Sequence, residues 1–116
     1  MTRETHPASL AEPRSDCPIA ASLDLIGDRW TLLIVRDLFR GKRRFSEFLA
    51  SAEGIKTNIL AQRLKRLEEA GLLERSPYQK HPPRYDYHLT SQGRDLSPVL
   101  TAIYGWGRAY FPNLRS

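Results

Sequence analysis

The hydrophobic period of this chain switches from helical to strand spacing at Gly71 and back to helical spacing at Thr90. Before Gly71, a helix from about Thr57 to Ala70 places Leu60, Leu64 and Leu67 on one face. Asn58, Gln62 and Lys65 lie on the opposite face, with Arg66 to its side. After Gly71, Leu72 to Tyr78 and Arg84 to Leu89 read as two strands, with Tyr85, Tyr87 and Leu89 alternating onto one face. Between them lies QKHPP, whose Pro82 and Pro83 suit a hairpin tip and not a strand centre. Few folds accommodate a polar-faced helix stopped by glycine and followed at once by a short hairpin.

Three helical segments precede this unit. Residues 1–16 are polar, contain Pro7 and Pro13, carry no periodicity and read as a flexible arm. Pro18 suits a first helical turn, and Ile19, Leu23 and Ile26 then form one stripe that Gly27 stops. Asp28 is a reasonable N-cap for a second helix that contains Trp30, Leu32, Leu33, Ile34, Val35, Leu38 and Phe39, is apolar nearly all round in its middle and so is expected to be the central buried helix. Phe45, Phe48 and Leu49 give a third, short segment, and a turn with Gly54 joins it to the helix at Thr57. After the hairpin, Thr90 can cap a last helix on which Leu96, Val99, Leu100, Ile103, Trp106 and Tyr110 recur. Pro98 inside that run predicts a bend or a late start.

The order is helix, helix, helix, turn, helix, hairpin, helix: a mainly α chain with a small β-hairpin, hence α+β. It reads as a winged helix-turn-helix over residues 17–116, with the helix-turn-helix at about 45–70 and the wing at about 72–89. The helices at about 17–27 and 91–110 flank it. A chain of 116 residues is one domain.

Charge points the same way. Residues 36–66 hold nine Lys or Arg against Asp37, Glu47 and Glu53, a net +6 where the whole chain sums to +5. A basic field focused on paired helices, in a chain of sequence pI near 9.7, fits a duplex-DNA partner. B-DNA's major groove admits one helix, and its phosphate walls attract cations. Asn58 and Gln62 are therefore the expected base readers, since their amides can pair bidentately with adenine. Arg43, Arg44, Lys56, Thr57, Lys65 and Arg66 are expected at phosphates, and Lys80, His81 and Arg84 on the wing at the neighbouring backbone. Gln62→Ala is expected to relax sequence preference, and Lys65→Ala to weaken all sequences alike.

Other classes find little support. There is no Gly-rich phosphate loop, nucleophile–histidine pairing or paired carboxylate in an apolar setting, so no enzyme is expected. Cys17 is the single cysteine, which excludes an intrachain disulfide and a cysteine-based zinc site. His6, His81 and His88 lack ligand-like spacing, so neither metal nor cofactor is expected. The longest apolar run, Leu32 to Val35, is far short of a membrane span, and the N-terminus lacks a signal-peptide core, which together lead to a cytoplasmic expectation. The competing reading is a winged-helix module for protein or RNA; a protein-binding module would show little salt dependence, and a DNA reader prefers duplex over single strand.

Three segments carry a specific resemblance: CPIAASLDLIGDRWTLLIVRDLFRGKRRFSEFL, GIKTNILAQRLKRLEEAGLLERSPY and PPRYDYHLTSQGRDLSPVL. In spacing and order the chain resembles the HxlR-type winged helix-turn-helix regulators of bacteria and archaea from Cys17 to Leu100. The resemblance implies a homodimeric transcription regulator on a palindromic operator, usually a repressor, with the terminal helices as the dimer seam. Ile19, Leu23, Leu96, Val99, Leu100, Ile103, Trp106 and Tyr110 would line that seam. The stripe's reach to Tyr110, beyond what one small domain covers, also favours a partner helix over a core role. Family members commonly enter the reading helix through Ser-Pro, where this chain has Lys56 and Thr57, so Thr57 is expected as the N-cap. Some members sense oxidants or electrophiles through a cysteine at the position of Cys17. The other reading of Cys17 is a small buried residue near the seam. An aromatic effector beside Trp30, Tyr104 or Trp106 is the remaining effector reading, against those rings being core.

Overall fold

The computed structural model describes residues 14–114. Most of the expected flexible arm, residues 1–13, lies outside them. Its described end is tied down, with Arg14 Nε 2.6 Å from the Asp24 carboxylate. Eight elements follow: α1 (Pro18–Ile26), α2 (Thr31–Phe39), α3 (Phe45–Leu49), α4 (Thr57–Glu69), β1 (Leu73–Gln79), β2 (Arg84–Leu89), α5 (Ser91–Arg94) and α6 (Ser97–Tyr110). The expected last helix is thus divided. Thr90 caps α5 by accepting from the Gly93 N–H, and Pro98 sits in the first turn of the late-starting α6.

The core lies along α4 and not, as expected, around α2. Leu60, Leu64 and Leu67 are buried, with Phe48 from α3, Ile55 from the turn, Ile34 and Val35 from α2, and Ala70, Leu72 and Leu73. On α2 only Thr31, Ile34, Val35 and Asp37 are buried, while Leu32, Leu33 and Leu38 are half-buried and Phe39 is exposed. The described residues leave part of the apolar run of α2 uncovered. Beside Ile34 and Val35, α2 buries the carboxylate of Asp37, which accepts from the Ser51 hydroxyl and sits 3.0 Å from Arg36 Nη2. Arg36 also grips Glu53 with both terminal guanidinium nitrogens, at 2.9 and 2.7 Å. That fork fixes the turn between α3 and α4 against α2.

The hairpin is antiparallel, with Leu73 opposite Leu89 and Arg75 opposite Tyr87, and a bulge between Pro77 and Gln79. A further backbone bond, Tyr87 N–H to the Arg43 carbonyl at 2.8 Å, ties the entry to α3 onto β2. Phe48 meets Tyr87 edge-on, with centroids 6.2 Å apart, so α3 and the hairpin share one apolar contact.

The junction of α4, β1 and α5 is tight. Gly71 has φ of 83° and closes α4: its N–H donates to the Glu68 carbonyl (3.1 Å) and that of Leu72 to Leu67 (3.0 Å), a Schellman ending. The Thr90 hydroxyl then donates to the Gly71 carbonyl at 2.7 Å, and its N–H to the Leu72 carbonyl at 3.1 Å. Gly93 closes the packing, because a methyl group there would lie 2.1 Å from the Leu72 carbonyl oxygen.

No residue of α1 or α6 is buried. Among the described residues, no helix is long and apolar enough to cross a membrane.

Candidate nucleic-acid interface

Helix α4 divides as its wheel requires. Its leucines face the core, while Asn58, Gln62 and Lys65 are exposed with Lys56 and Thr57. Neither Asn58 nor Gln62 is covered by the protein's interior. The entry differs in one respect. Lys56, in extended backbone, holds the N-cap position without a side-chain cap bond, and Thr57 is the first helical residue instead of the cap. The leading amides of α4 are thus left without a side-chain cap, and an anion is a fitting partner for them.

The basic cluster separates into structural and free cations. Arg36 belongs to Glu53 and Asp37. Lys42 donates to the Ser51 hydroxyl at 2.7 Å. Arg44 pairs with Asp86 at 3.0 Å and lies over the Tyr78 ring, 3.8 Å from its centroid. Arg63 Nε sits 3.2 Å from the Asp28 carboxylate. Arg66 Nη1 is 3.7 Å from Asp28, and its Nη2 donates to the Asp24 carbonyl. Arg66 is therefore turned towards α1 and leaves the expected phosphate set, and Arg44 is a clamp between α3 and the wing before it is anything else. Arg43, Lys56 and Lys65 are exposed or at the surface and make no ion pair among the described residues, as do Lys80 and Arg84 at the hairpin end. His81 is exposed there too, its carbonyl accepting from Gln79. The free cations thus flank the amide-bearing face of α4 and mark the hairpin tip.

Two carboxylates, Glu47 and Asp28, which sequence reasoning placed nowhere in the interface, hold this surface in place. Glu47 reaches back from α3 to accept from the Arg43 and Arg44 N–H groups at 2.7 and 2.9 Å, and those bonds hold its pKa below the usual range. Burial alone would raise the pKa of Asp28. The Thr31 hydroxyl, the Trp30 and Thr31 N–H groups and Arg63 outweigh burial and bring it to about 2. The expected N-cap of α2, Asp28, gives way to Trp30, which has no side-chain cap bond; Asp28 instead holds the turn before the helix by accepting from the Trp30 and Thr31 N–H groups.

The expected seam residues fall into two sets. Ile19, Leu23, Val99, Ile103, Trp106 and Tyr110 are exposed, from 37% at Val99 to 71% at Ile19. Leu96 and Leu100 are half-buried against this chain's own core, because the first turns of α6 lie over it. Tyr104, Phe111 and Leu114 join the exposed set, having escaped the stripe, and Phe111 meets Trp106 edge-on at 6.0 Å. Cys17 is exposed and holds the N-cap position of α1, with no side-chain cap bond of its own. The cavity beside Trp30 measures about 10 Å³, room for one water and not for an aromatic effector. Tyr104 and Trp106 do not line it.

The HxlR-like helix-turn-helix family profile matches residues 25–115. The chain is similar to Rv3095, an uncharacterised HTH-type transcriptional regulator of Mycobacterium tuberculosis. The two are 45% identical over 94 residues, 81% of this chain and 59% of that protein. The chain thus spans about three fifths of that relative's length. Among solved structures, PA1607 superposes with a TM-score of 0.80 at 43% identity, over 92% of this chain and 75% of that one. The reduced form of HypR, a redox regulator, superposes with a TM-score of 0.73 at 33% identity, over 80% of this chain and 92% of that one.

Proposed function

Because the chain belongs to the HxlR-like helix-turn-helix family, we propose that it is a sequence-specific, double-stranded-DNA-binding transcriptional regulator of the cytoplasm, acting as a homodimeric repressor on a palindromic operator. One observation carries the reading: α4 exposes Asn58 and Gln62 opposite three buried leucines, flanked by the unpaired cations Lys56 and Lys65. The amides read base edges, Arg43, Lys56, Thr57 and Lys65 hold phosphates, and Lys80, His81 and Arg84 reach the adjacent backbone. The exposed apolar faces of α1 and α6 join two copies, which sets two reading helices at the spacing of a two-fold half-site pair.

The test is a paired substitution. Gln62→Ala is expected to lower discrimination at one base pair by about 1–3 kcal/mol and leave the salt slope alone, whereas Lys65→Ala weakens every duplex and flattens the slope by roughly one. The reverse pattern would exchange their roles, and binding without salt dependence would favour a protein-binding module.

An exposed thiol at the start of α1, next to the proposed seam, also supports control by oxidants, in line with the redox regulator HypR among the structural relatives. With no second cysteine in the chain, oxidation would join two subunits, cap the thiol or stop at sulfenic acid. Peroxide or diamide is expected to change operator affinity in the wild type and not in Cys17→Ser. Equal responses in both proteins would remove Cys17 from the account.

A further inference from the structure

We propose that Asp28, at the junction of α1 and α2, is a positioning residue that sets the base selectivity of α4 without touching DNA; this rests on α4 being the duplex-reading helix. Asp28 lies at the centre of a bonded chain ending at the reading face. Its carboxylate accepts from the Trp30 and Thr31 N–H groups at 2.8 and 3.0 Å, so its own position is fixed by the start of α2. The same carboxylate holds Arg63 Nε at 3.2 Å and Arg66 Nη1 at 3.7 Å, two side chains one turn apart along α4. Arg66 is held further by the Asp24 carbonyl of α1. Arg63 in turn donates from Nη1 to Gln62 Oε1 at 2.9 Å.

Each link has a consequence. Two guanidinium groups on one carboxylate lock the rotation of α4 about its axis relative to α1 and α2. The planar fork of Arg63 has one nitrogen on Asp28 and another on Gln62, so it transmits that position to the amide plane of Gln62. The carbonyl of Gln62 keeps a second lone pair, and its NH2 group stays free to donate, which leaves the donor–acceptor pair that adenine requires. A freely rotating amide would lose entropy on pairing and would tolerate more partners; a held one discriminates. Arg63 and Asp28 are only partly exposed, at 20% and 21% of their side chains, so solvent screens this link less than a surface pair.

The experiment uses the full chain and a library of randomised duplexes, followed by the enriched duplex and its single-base-pair variants. Asp28→Asn retains an acceptor for Trp30 and Thr31 but not the charge that holds Arg63. Arg63→Lys retains charge but not the fork. Each is expected to cut discrimination about five- to tenfold at the base pair that Gln62→Ala also relaxes, the low end of what one bidentate contact supplies. The salt slope should stay at the wild-type value, since neither residue meets phosphate. The double variant should be no worse than the weaker single, because both act through one link. Unchanged discrimination in Asp28→Asn, or additive losses in the double variant, would overturn the proposal, as would a uniform loss on all duplexes. If the wild type enriches no sequence, the duplex reading of α4 fails first, which separates that failure from this one.

Discussion

Ile103→Glu is expected to leave the winged domain folded and to abolish the dimer. Ile103 is half exposed, 51%, in a single copy of the chain, so the substitution removes no buried contact within it. Ile19, Leu23, Trp106 and Tyr110 are exposed too, apolar area that a solitary chain would present to water, and a seam buried in a two-fold contact tolerates no opposed pair of carboxylates. The wild type should sediment as a dimer at micromolar concentration and the variant as a monomer, with a melting temperature that no longer depends on protein concentration. Operator affinity should fall by about 100- to 10,000-fold, because the second half-site would no longer be engaged at high effective concentration. A wild type that sediments as a monomer, or a variant that keeps both its mass and its affinity, would remove the seam from the proposal.

Phe48→Ala is expected to have the largest effect on stability. Phe48 is 1% exposed and joins three elements: it sits on α3, packs in the cluster with Leu60 and Leu64, and meets Tyr87 of the hairpin. Removing a buried ring costs about 3–5 kcal/mol, lost burial and residual cavity together. Against a total of about 5–15 kcal/mol for a domain, that is a large fraction, and the melting temperature should drop by roughly 10–20 °C. The wing should also loosen before the rest, visible as faster amide exchange in β2 than in α4. A loss below about 1 kcal/mol would mean that the cluster collapses around the gap and that Phe48 does not organise the α3–hairpin contact.

The elements themselves were legible because each rests on a local signal. The leucine spacing of α4, the Gly71 stop, the Pro-Pro hairpin tip and the late start imposed by Pro98 all reappear in the fold. What escaped were the facts set by partners distant in sequence. The basic run looks uniform as a string. Only the fold shows that Arg36, Arg44, Arg63 and Arg66 answer Glu53, Asp86 and Asp28, leaving Arg40, Arg43, Lys56 and Lys65 without an ion pair among the described residues. The depth of α2 was overestimated for a related reason, since an all-round apolar helix says that something covers it and not that the same chain does. Leu96 and Leu100 were grouped with the outer stripe of α6 because periodicity does not show where along a helix the covering body ends. Gly93 carried no signal, since close approach between a backbone and a glycine leaves no pattern in the string.

The junction where Thr90 grips the Gly71 and Leu72 carbonyls, with Gly93 closing it, has a mechanical corollary. The tail of α4, the root of the hairpin and the first turn leading to α6 meet there without intervening slack. In the proposed dimer, a change in the crossing angle of the terminal helices would therefore swing α4 and the hairpin as one lever, so that an effector acting there would alter half-site spacing and not the grip of either part alone.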